Sequence, residues 1–452
     1  MLRTDSRKVC KGDVFLALKG VVTDGHDFID MAIRNGASKI ICEHGSYSVD
    51  TMVVPSTREY LASYLKDLYK DKFSKVKLLG ITGTNGKTTS AYLIYQLLNK
   101  LGKKCAYIGT IGFYLNDTIR PLNNTTPDLM ELYSLFDEAF NSGVSVIVME
   151  VSSHALELGR VLGLSFDIVS FTNLTQDHLD VHKTFDNYIK AKQKLFGMVK
   201  DDGYAIVNVD DKYSDRFIIS GNNNITYGIN PSDYHIISYN LRINRTEFIM
   251  EVDKKKYDVV IPIPGKYNIY NFLVALINVV KVGYDIDSVL GVIKDIKTPK
   301  GRFDIVNYNN NVIIVDYAHT PDAVLNILNA VNEYKEGKIY TVIGCGGDRD
   351  KSKRPLMGDI ATRKSDYVIF TDDNPRSEKE EDIVNDIICN LDRDNYCVIY
   401  DRKSAIIKGI DLLNDKDILL ILGKGHEDYQ IIGKDRIHFD DKEVVLEYIN
   451  NK

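Results

Sequence analysis

The run from Leu78 to Leu101, LLGITGTNGKTTSAYLIYQLLNKL, constrains this chain more than any other stretch. Apolar Leu78, Leu79 and Ile81 read as a short buried strand, and Leu93, Ile94, Leu97, Leu98 and Leu101 recur at helical spacing. Between them lie Gly83, Thr84, Asn85, Gly86, Lys87, Thr88 and Thr89. A strand that passes into a helix through two such glycines makes a cradle for phosphate. The glycines let backbone N–H groups turn inward, the helix N-terminus adds partial positive charge, and Lys87 adds a full one. Thr88, the hydroxyl after the lysine, stands where Mg²⁺ accompanying a nucleotide is ligated. The longer phosphate-loop pattern has a glycine five residues before Gly86; Ile81 stands there, so the loop is the compact form GTNGKT. A glycine turn without a ligand is the bland alternative, and the strand before it and helix after it favour a nucleotide site.

Composition limits the surroundings and partners. A chain of 452 residues has room for about three domains. A net charge of −6 leaves no basic excess to neutralise a nucleic-acid backbone, which argues against nucleic acid as a partner. Cys10, Cys42, Cys105, Cys345, Cys389 and Cys397 are scattered, with no CxxC pair, as in a reducing cytosol. The opening MLRTDSRKVCKGD is charged and lacks the apolar core of a secretory leader. No stretch approaches the ~18–20 apolar residues of a membrane span. The expectation is a cytoplasmic protein without a membrane partner, read as a monomer.

The pattern along the chain is that of an α/β protein of three domains, with a central phosphate-loop ATPase-like domain and a C-terminal doubly wound, Rossmann-like domain. Residues 1–73 read as a small α/β unit with strands at 14–18 and 39–42 and helices at 28–35 and 58–69. The charged segment 70–77 reads as a linker. In the second unit, 74–299, the apolar runs 144–151, 167–171 and 205–209 read as strands and 185–199 and 268–282 as helices. Near-alternating short runs over 224–262 predict an antiparallel meander. Thr298-Pro299-Lys300-Gly301-Arg302 marks a hinge. From 300 to 452, strands at 312–315, 338–343, 367–370, 397–399 and 418–422 alternate with helices, the pattern of a doubly wound parallel sheet.

Ligands of such sheets gather at the carboxyl ends of the strands. Glu150 ends its strand near the phosphate loop, where a carboxylate can hold Mg²⁺. His178 also follows a strand end, and taken alone it reads equally as a packed polar residue or a ligand. Lys192 stands among Lys190 and Lys194 on one helix, and its chemistry alone does not single it out. YAHTPD at 317–322, GCGGDRDKSKRP at 344–355, DDNPRSE at 372–378 and GKGHE at 423–427 concentrate polar residues in the loops of the last domain, as a polar substrate would need.

These motifs together, with MEVSSHAL (149–156), TNLTQDHLDVH (172–182) and YIKAKQKLF (188–196), resemble the Mur ligase family over nearly the whole chain and in the same order. Within it they are most similar to the members that add the third amino acid. The resemblance implies an ATP-dependent ligase of cytoplasmic peptidoglycan precursor synthesis. ATP phosphorylates the free carboxylate of UDP-N-acetylmuramoyl-L-alanyl-D-glutamate, an amine attacks the acyl phosphate, and phosphate leaves behind an amide. It also implies roles for single residues. Gly83 to Thr89 hold ATP, with Lys87 offsetting the charge on the transferring phosphoryl group. Thr88 and Glu150 match one Mg²⁺ site and His178 a second, and Lys192 matches a lysine that is carbamylated into an anionic oxygen donor.

Thr4, Ser6, Val21, Val22 and Thr23 resemble the uridine-binding part of the first domain. Thr125, Thr126, Ser152 and Arg160 match contacts to the nucleotide-sugar peptide, whereas Leu158 stands where a relative has glutamine. Asn268, Arg302 and Asp316 resemble nucleotide contacts made as the third domain closes. Asp373, Asn374, Pro375 and Arg376 form DNPR, which in this family accompanies meso-diaminopimelate; a guanidinium can grip the distal carboxylate that lysine lacks. Arg349, Gly423 and Glu427 match the rest of that pocket, with Glu427 suited to the distal ammonium. Folylpolyglutamate synthetase shares the compact loop and acyl-phosphate route, but DNPR and GKGHE are not expected in it. A Mur-like protein that binds nucleotide without ligating is the other rival, and the full set of phosphate and metal residues argues against it.

Overall fold

The computed structural model describes residues 1–20, 23–116, 118–221 and 223–452. Its largest sheet has eleven strands and grows outward from Lys77–Thr82, the phosphate-loop strand, buried from Leu78 onward. Val146–Glu150 flanks it in parallel on one side and Phe166–Phe171 on the other. Cys105–Gly109 and Val199–Asn208 extend the parallel array on those two sides. These strands are almost continuously apolar because helices cover both faces. Lys87–Lys100 and Lys266–Val282 pack on the face bearing Leu79, Ile81 and Val148. Leu129–Asn141 and Phe185–Phe196 pack on the face bearing Leu78, Ile147 and Val169.

The antiparallel meander expected over 224–262 is present as Tyr234–Arg242, Arg245–Val252 and Lys255–Ile261. It is continuous with the parallel array, because Asn224–Gly228 pairs in parallel with both Val199–Asn208 and Tyr234–Arg242.

Residues near the N-terminus form a four-stranded parallel sheet, in the order Leu2–Arg3, Val14–Leu16, Lys39–Cys42 and Asp50–Val53. The outer two are too short or too exposed to show an apolar pattern. The segment 70–77 differs from the linker expected. Lys70–Phe73 is a helical turn, and Phe73 meets Tyr133 and Phe136 edge-on, both with ring centroids 5.3 Å away. One aromatic anchors an otherwise charged stretch. Leu16, Ile41, Leu61 and Leu65 accordingly share a buried cluster with Leu78, Phe136 and Ile147.

The third sheet runs Asp304–Tyr308, Asn311–Asp316, Ile418–Leu422, Ile339–Ile343, Tyr367–Phe370 and Tyr396–Val398. Only the first pairing is antiparallel. Pro321–Asn332, Arg354–Lys364 and Glu380–Ile388 pack on one face, Arg402–Asp411 and Asp441–Asn450 on the other, so the sheet is doubly wound. The polar loops after Asp316, Ile343, Phe370 and Leu422 all leave at the carboxyl end. Among the described residues no helix is long and apolar enough to cross a membrane.

Candidate active site

The phosphate loop is built against the end of the neighbouring strand. Thr84 N–H donates to the Asn173 carbonyl at 2.8 Å and Asn85 N–H to Asn173 Oδ1 at 2.9 Å. Thr172 Oγ1 donates back to the Asn85 carbonyl at 2.6 Å. The two glycines are required by space and by backbone. Gly83 and Gly86 have φ of +148° and +85°, and a Cβ would lie 1.9 Å from Thr172 Oγ1 or 2.3 Å from Asn271 Oδ1. Lys87 opens the helix and curls over the loop, donating to the carbonyls of Gly83 (2.9 Å) and Thr84 (2.8 Å).

Glu150 is fully buried at the end of its strand. Its Oε2 accepts from Thr88 Oγ1 at 2.8 Å and from Thr110 Oγ1 at 3.3 Å. Oε1 accepts from Tyr107 OH at 2.5 Å and Thr110 N–H at 2.8 Å. The Thr88–Glu150 pair fits Mg²⁺. Both are hard oxygen donors, and adjacent ligands of an octahedral ion at about 2.1 Å lie roughly 3 Å apart. Among the described residues no three His, Cys, Asp or Glu side chains converge on one point. That leaves most of the ion's ligands to phosphate and water, the usual manner of holding Mg²⁺ beside a nucleotide.

Lys192 reaches the same loop from its helix, donating to the Gly83 carbonyl at 2.7 Å with its ammonium over the Tyr188 ring. Tyr188 in turn shares a 3.0 Å hydrogen bond with Thr84 Oγ1. Burial lowers the proton affinity of Lys192 well below that of a free lysine, and the charge of Lys87 adds to the shift. Lys87 is lowered too, by burial, with Glu150 and Asp177 opposing. His178 sits in a left-handed backbone conformation beside Asp177, with Nε2 3.3 Å from Oδ2. Desolvation outweighs Asp177 and holds its imidazole below the usual histidine range.

A cavity of about 490 Å³ opens beside the loop, between the central and third sheets. Asn85, Gly86, Asn268, Asn271, Arg302 and Asp316 are among its walls. Arg302 lies over the Tyr317 ring and brings Nη2 to 3.5 Å from Thr88 Oγ1; its buried Nε has no partner among the described residues. Asn268 Nδ2 donates to the Pro264 carbonyl at 2.7 Å, and its Oδ1 accepts from Asn271 Nδ2 at 2.9 Å. Asp316 does not touch the loop: it accepts from the N–H groups of Phe303 (2.7 Å) and Ala318 (2.8 Å) and shapes the wall. The two sides are tied directly by Asn85 Nδ2, which donates to Asp322 Oδ2 at 2.8 Å.

The second polar cluster belongs to the third sheet. Arg376 has φ of +54°, a strained conformation for a non-glycine residue. The hairpin Tyr429–Ile432/Asp435–His438 holds it there: Arg376 N–H donates to Ile431 O at 3.0 Å, and Gly433 N–H to Arg376 O at 2.8 Å. Its Nη1 donates to the Gly347 carbonyl at 2.7 Å. Asn374 joins this loop to GKGHE, with Nδ2 donating to Glu427 Oε2 (2.8 Å) and to Asp373 Oδ1 (3.0 Å). Pro375 is buried beside it. Fully buried Lys424 lies 3.3 Å from Glu427 Oε2. Burial and neighbouring Asp373 push the Glu427 carboxyl above its usual range. Gly423 follows the Ile418–Leu422 strand, its N–H donating to Asp316 O at 3.1 Å. Arg349 is exposed, with Nη1 on the Asp348 carbonyl at 3.2 Å.

On the other side of Glu150, Thr126 Oγ1 donates to the Glu150 carbonyl at 2.9 Å and accepts from Ser152 N–H at 3.1 Å. Arg160 Nη1 donates to the Thr126 carbonyl at 3.1 Å, and Thr125 Oγ1 shares a 3.0 Å bond with Thr110. Ser6 is buried, Thr4 half-buried and Thr23 exposed in the first sheet's loops, while Val21 and Val22 lie outside the described residues. Sequence reasoning misses Thr172, Asn173 and Asn271, although polarity directly after a buried strand and on an apolar helix is a usable signal. It misses Tyr107 with no such signal, since an aromatic in an apolar strand reads as core.

Family models match most of the chain: "Mur ligase family, catalytic domain" over residues 1–68, "Mur ligase middle domain" over 81–279 and "Mur ligase, glutamate ligase domain" over 301–425. UDP-N-acetylmuramoyl-L-alanyl-D-glutamate–2,6-diaminopimelate ligase 1 of Clostridium acetobutylicum is 42% identical over 99% of this chain and 94% of its own. The ligase of that name from Bacillus cereus is 40% identical over 100% and 94%. A solved structure of a UDP-N-acetylmuramoyl-L-alanyl-D-glutamate–2,6-diaminopimelate ligase superposes with a TM-score of 0.73 at 32% identity, covering 100% of this chain and 94% of that one.

Proposed function

The chain belongs to the Mur ligase family, and from that premise we propose that it is an ATP-dependent ligase joining meso-diaminopimelate to the free carboxylate of UDP-N-acetylmuramoyl-L-alanyl-D-glutamate. The observation that carries the reading is a loop whose Asn85, Gly86 and Thr89 line the cavity between the central and third sheets, with Lys87 and Thr88 adjoining them in the same loop and Glu150 paired to Thr88. The names of relatives aligned over the whole chain support the choice of substrates.

The working division is 1–73 for the uridine end, 74–299 for ATP and 300–452 for the amino acid. Thr4, Ser6 and Thr23 are assigned to the uridine, as are Val21 and Val22, which lie outside the described residues. Thr125, Thr126, Ser152 and Arg160 direct the dipeptide carboxylate toward the loop. The loop amides and Lys87 offset negative charge on the γ-phosphoryl group as that carboxylate attacks phosphorus and ADP leaves. Arg302 closes the nucleotide side. The free amine of the diamino acid then attacks the acyl carbon, phosphate departs, and the ammonium proton is released with it. Thr88 and Glu150 would hold one Mg²⁺ and His178 a second, and the metal would supply charge neutralisation for the phosphates. Lys192, whose proton affinity burial lowers, would add through its amine to carbon dioxide with loss of a proton, and the carbamate would be the oxygen donor. Arg376, Arg349 and Asn374 take the distal carboxylate, and Glu427 with Asp373 the distal ammonium. The protein acts as a cytoplasmic monomer.

An amino-acid panel in a phosphate-release assay tests this. With ATP, Mg²⁺ and the UDP-dipeptide present, meso-diaminopimelate is used far better than L-lysine, and Arg376→Ala removes most of that preference. Equal use of both by the wild-type protein would remove the pocket assignment. No ADP in the complete mixture would remove the ligase reading.

A further inference from the structure

We propose that Tyr107 is a positioning residue for the metal-holding carboxylate, fixing the orientation in which Glu150 presents an oxygen to Thr88. The inference rests on the reading of Glu150 as a Mg²⁺ ligand. Tyr107 lies in the middle of Cys105–Gly109, with its side chain buried and its hydroxyl reaching the level of Gly109 at the strand end. There it donates to Glu150 Oε1 at 2.5 Å. A carboxylate removed from water must have its lone pairs met by donors, and Oε1 has two, Tyr107 OH and Thr110 N–H. Both come from the strand side, so Oε1 is committed there and Oε2 turns to Thr88 Oγ1, 2.8 Å away.

The strand is shaped for this bond. A Cβ on Gly109 would sit 2.2 Å from both Glu150 Oε1 and Tyr107 OH. The phenol ring is held edge-on by Tyr114 at 5.4 Å and Tyr92 at 6.3 Å, both at 87°. Its direction is thereby set by packing, while its hydroxyl donates to Glu150 and lies beside the Ile111 backbone N–H. A purely packing residue at this position would serve as well without the oxygen; the placement of the oxygen on Oε1 is what points to a role at the carboxylate. Partners that orient metal ligands commonly change metal affinity or activity by 10- to 100-fold when removed.

The test is Tyr107→Phe, which keeps the ring and removes the hydroxyl, compared with wild type and with Tyr114→Phe. Tyr114 belongs to the same aromatic cluster, so its variant controls for packing. Mn²⁺ binding in the presence of ADP, followed by electron paramagnetic resonance, reads the site without turnover. Tyr107→Phe is expected to weaken Mn²⁺ binding by about tenfold or more, and to raise the Mg²⁺ concentration for half-maximal ligation in parallel. The KM for diamino acid stays near wild type. Gly109→Ala, which wedges the pair apart, shows the same metal defect. Tyr107→Phe with wild-type Mn²⁺ affinity overturns the inference alone. Wild-type protein that takes up no Mn²⁺ with ADP overturns the Glu150 assignment and the inference with it.

Discussion

The phosphate-loop site and the DNPR–GKGHE cluster both sit at the carboxyl ends of parallel strands, yet they handle charge in opposite ways. At the loop, Lys87 and Lys192 direct their ammonium groups at backbone carbonyls of Gly83 and Thr84. Burial depresses the proton affinity of both. In the third sheet the cations already have carboxylates: Lys424 has Glu427, Arg354 has Glu378 and Asp386, and Arg402 has Asp441. Arg376 instead lies on the Gly347 carbonyl. The first site therefore has Lys87 on backbone carbonyls instead of a carboxylate, which leaves its charge for a polyanion such as a triphosphate. The second is nearly balanced, which suits a zwitterion carrying equal numbers of amines and carboxylates. Balanced networks need every partner; excess charge needs its ligand.

The largest expected effect is at the loop. Lys87→Ala should lower ADP formation by about a thousandfold, and calorimetry should show nucleotide binding falling with it while diamino-acid KM changes little. Retained nucleotide affinity would break the contrast. Lys424→Met should act the other way, leaving Glu427 buried without its cation. A loss of about 3 kcal/mol in urea unfolding is expected, with nucleotide binding at the loop intact. If the variant instead loses nucleotide first, the two sites are not separable.

Acidification probes the seam between the sites, where His319 and His426 are held neutral. Burial lowers His319 to about 4 and His426 to about 3. Because both folded values lie below the unfolded value near 6.5, the unfolded chain binds more protons as the pH falls. Their contribution is fully present above about pH 6.5 and is lost as the pH drops toward 4. Of order 1–2 kcal/mol each should be missing at pH 5, read as a lower urea midpoint than at pH 7.5. His319→Gln should flatten that slope, and equal midpoints at both pH values would sink the assignment. The smallest effect is at the bridge itself. Asp322→Ala removes the acceptor of Asn85 and should raise the KM for ATP by about fivefold, the equivalent of about 1 kcal/mol. An unchanged KM would make that bond incidental.

The phosphate loop is legible in the sequence because phosphate binding by backbone is a local affair. The glycines, lysine and hydroxyl that do it are consecutive from Gly83 to Thr88, and the flanking strand and helix show their own periods. The doubly wound third sheet is legible for the same reason, its buried strands being uniform apolar runs. The segment 70–77 reads wrongly as a linker because charge dominates its composition, whereas its Phe73 meets Tyr133 and Phe136 some sixty residues on, its Val76 is buried in the same cluster and its Lys72 pairs with Asp137. Short or exposed strands such as Asp50–Val53 leave no pattern at all.

The sequence by itself determined where phosphate can be cradled, that the last third of the chain is a doubly wound sheet, and which motifs it shares with a family of ligases. The tertiary structure decided how the Glu150 carboxylate is turned toward Thr88, why Lys192 and not Lys190 or Lys194 reaches Gly83, and how a hairpin pins Arg376. Those outcomes depend on direction and distance between residues far apart in the chain. A helix places three lysines within one turn and a half, and only packing selects the one that loses its water.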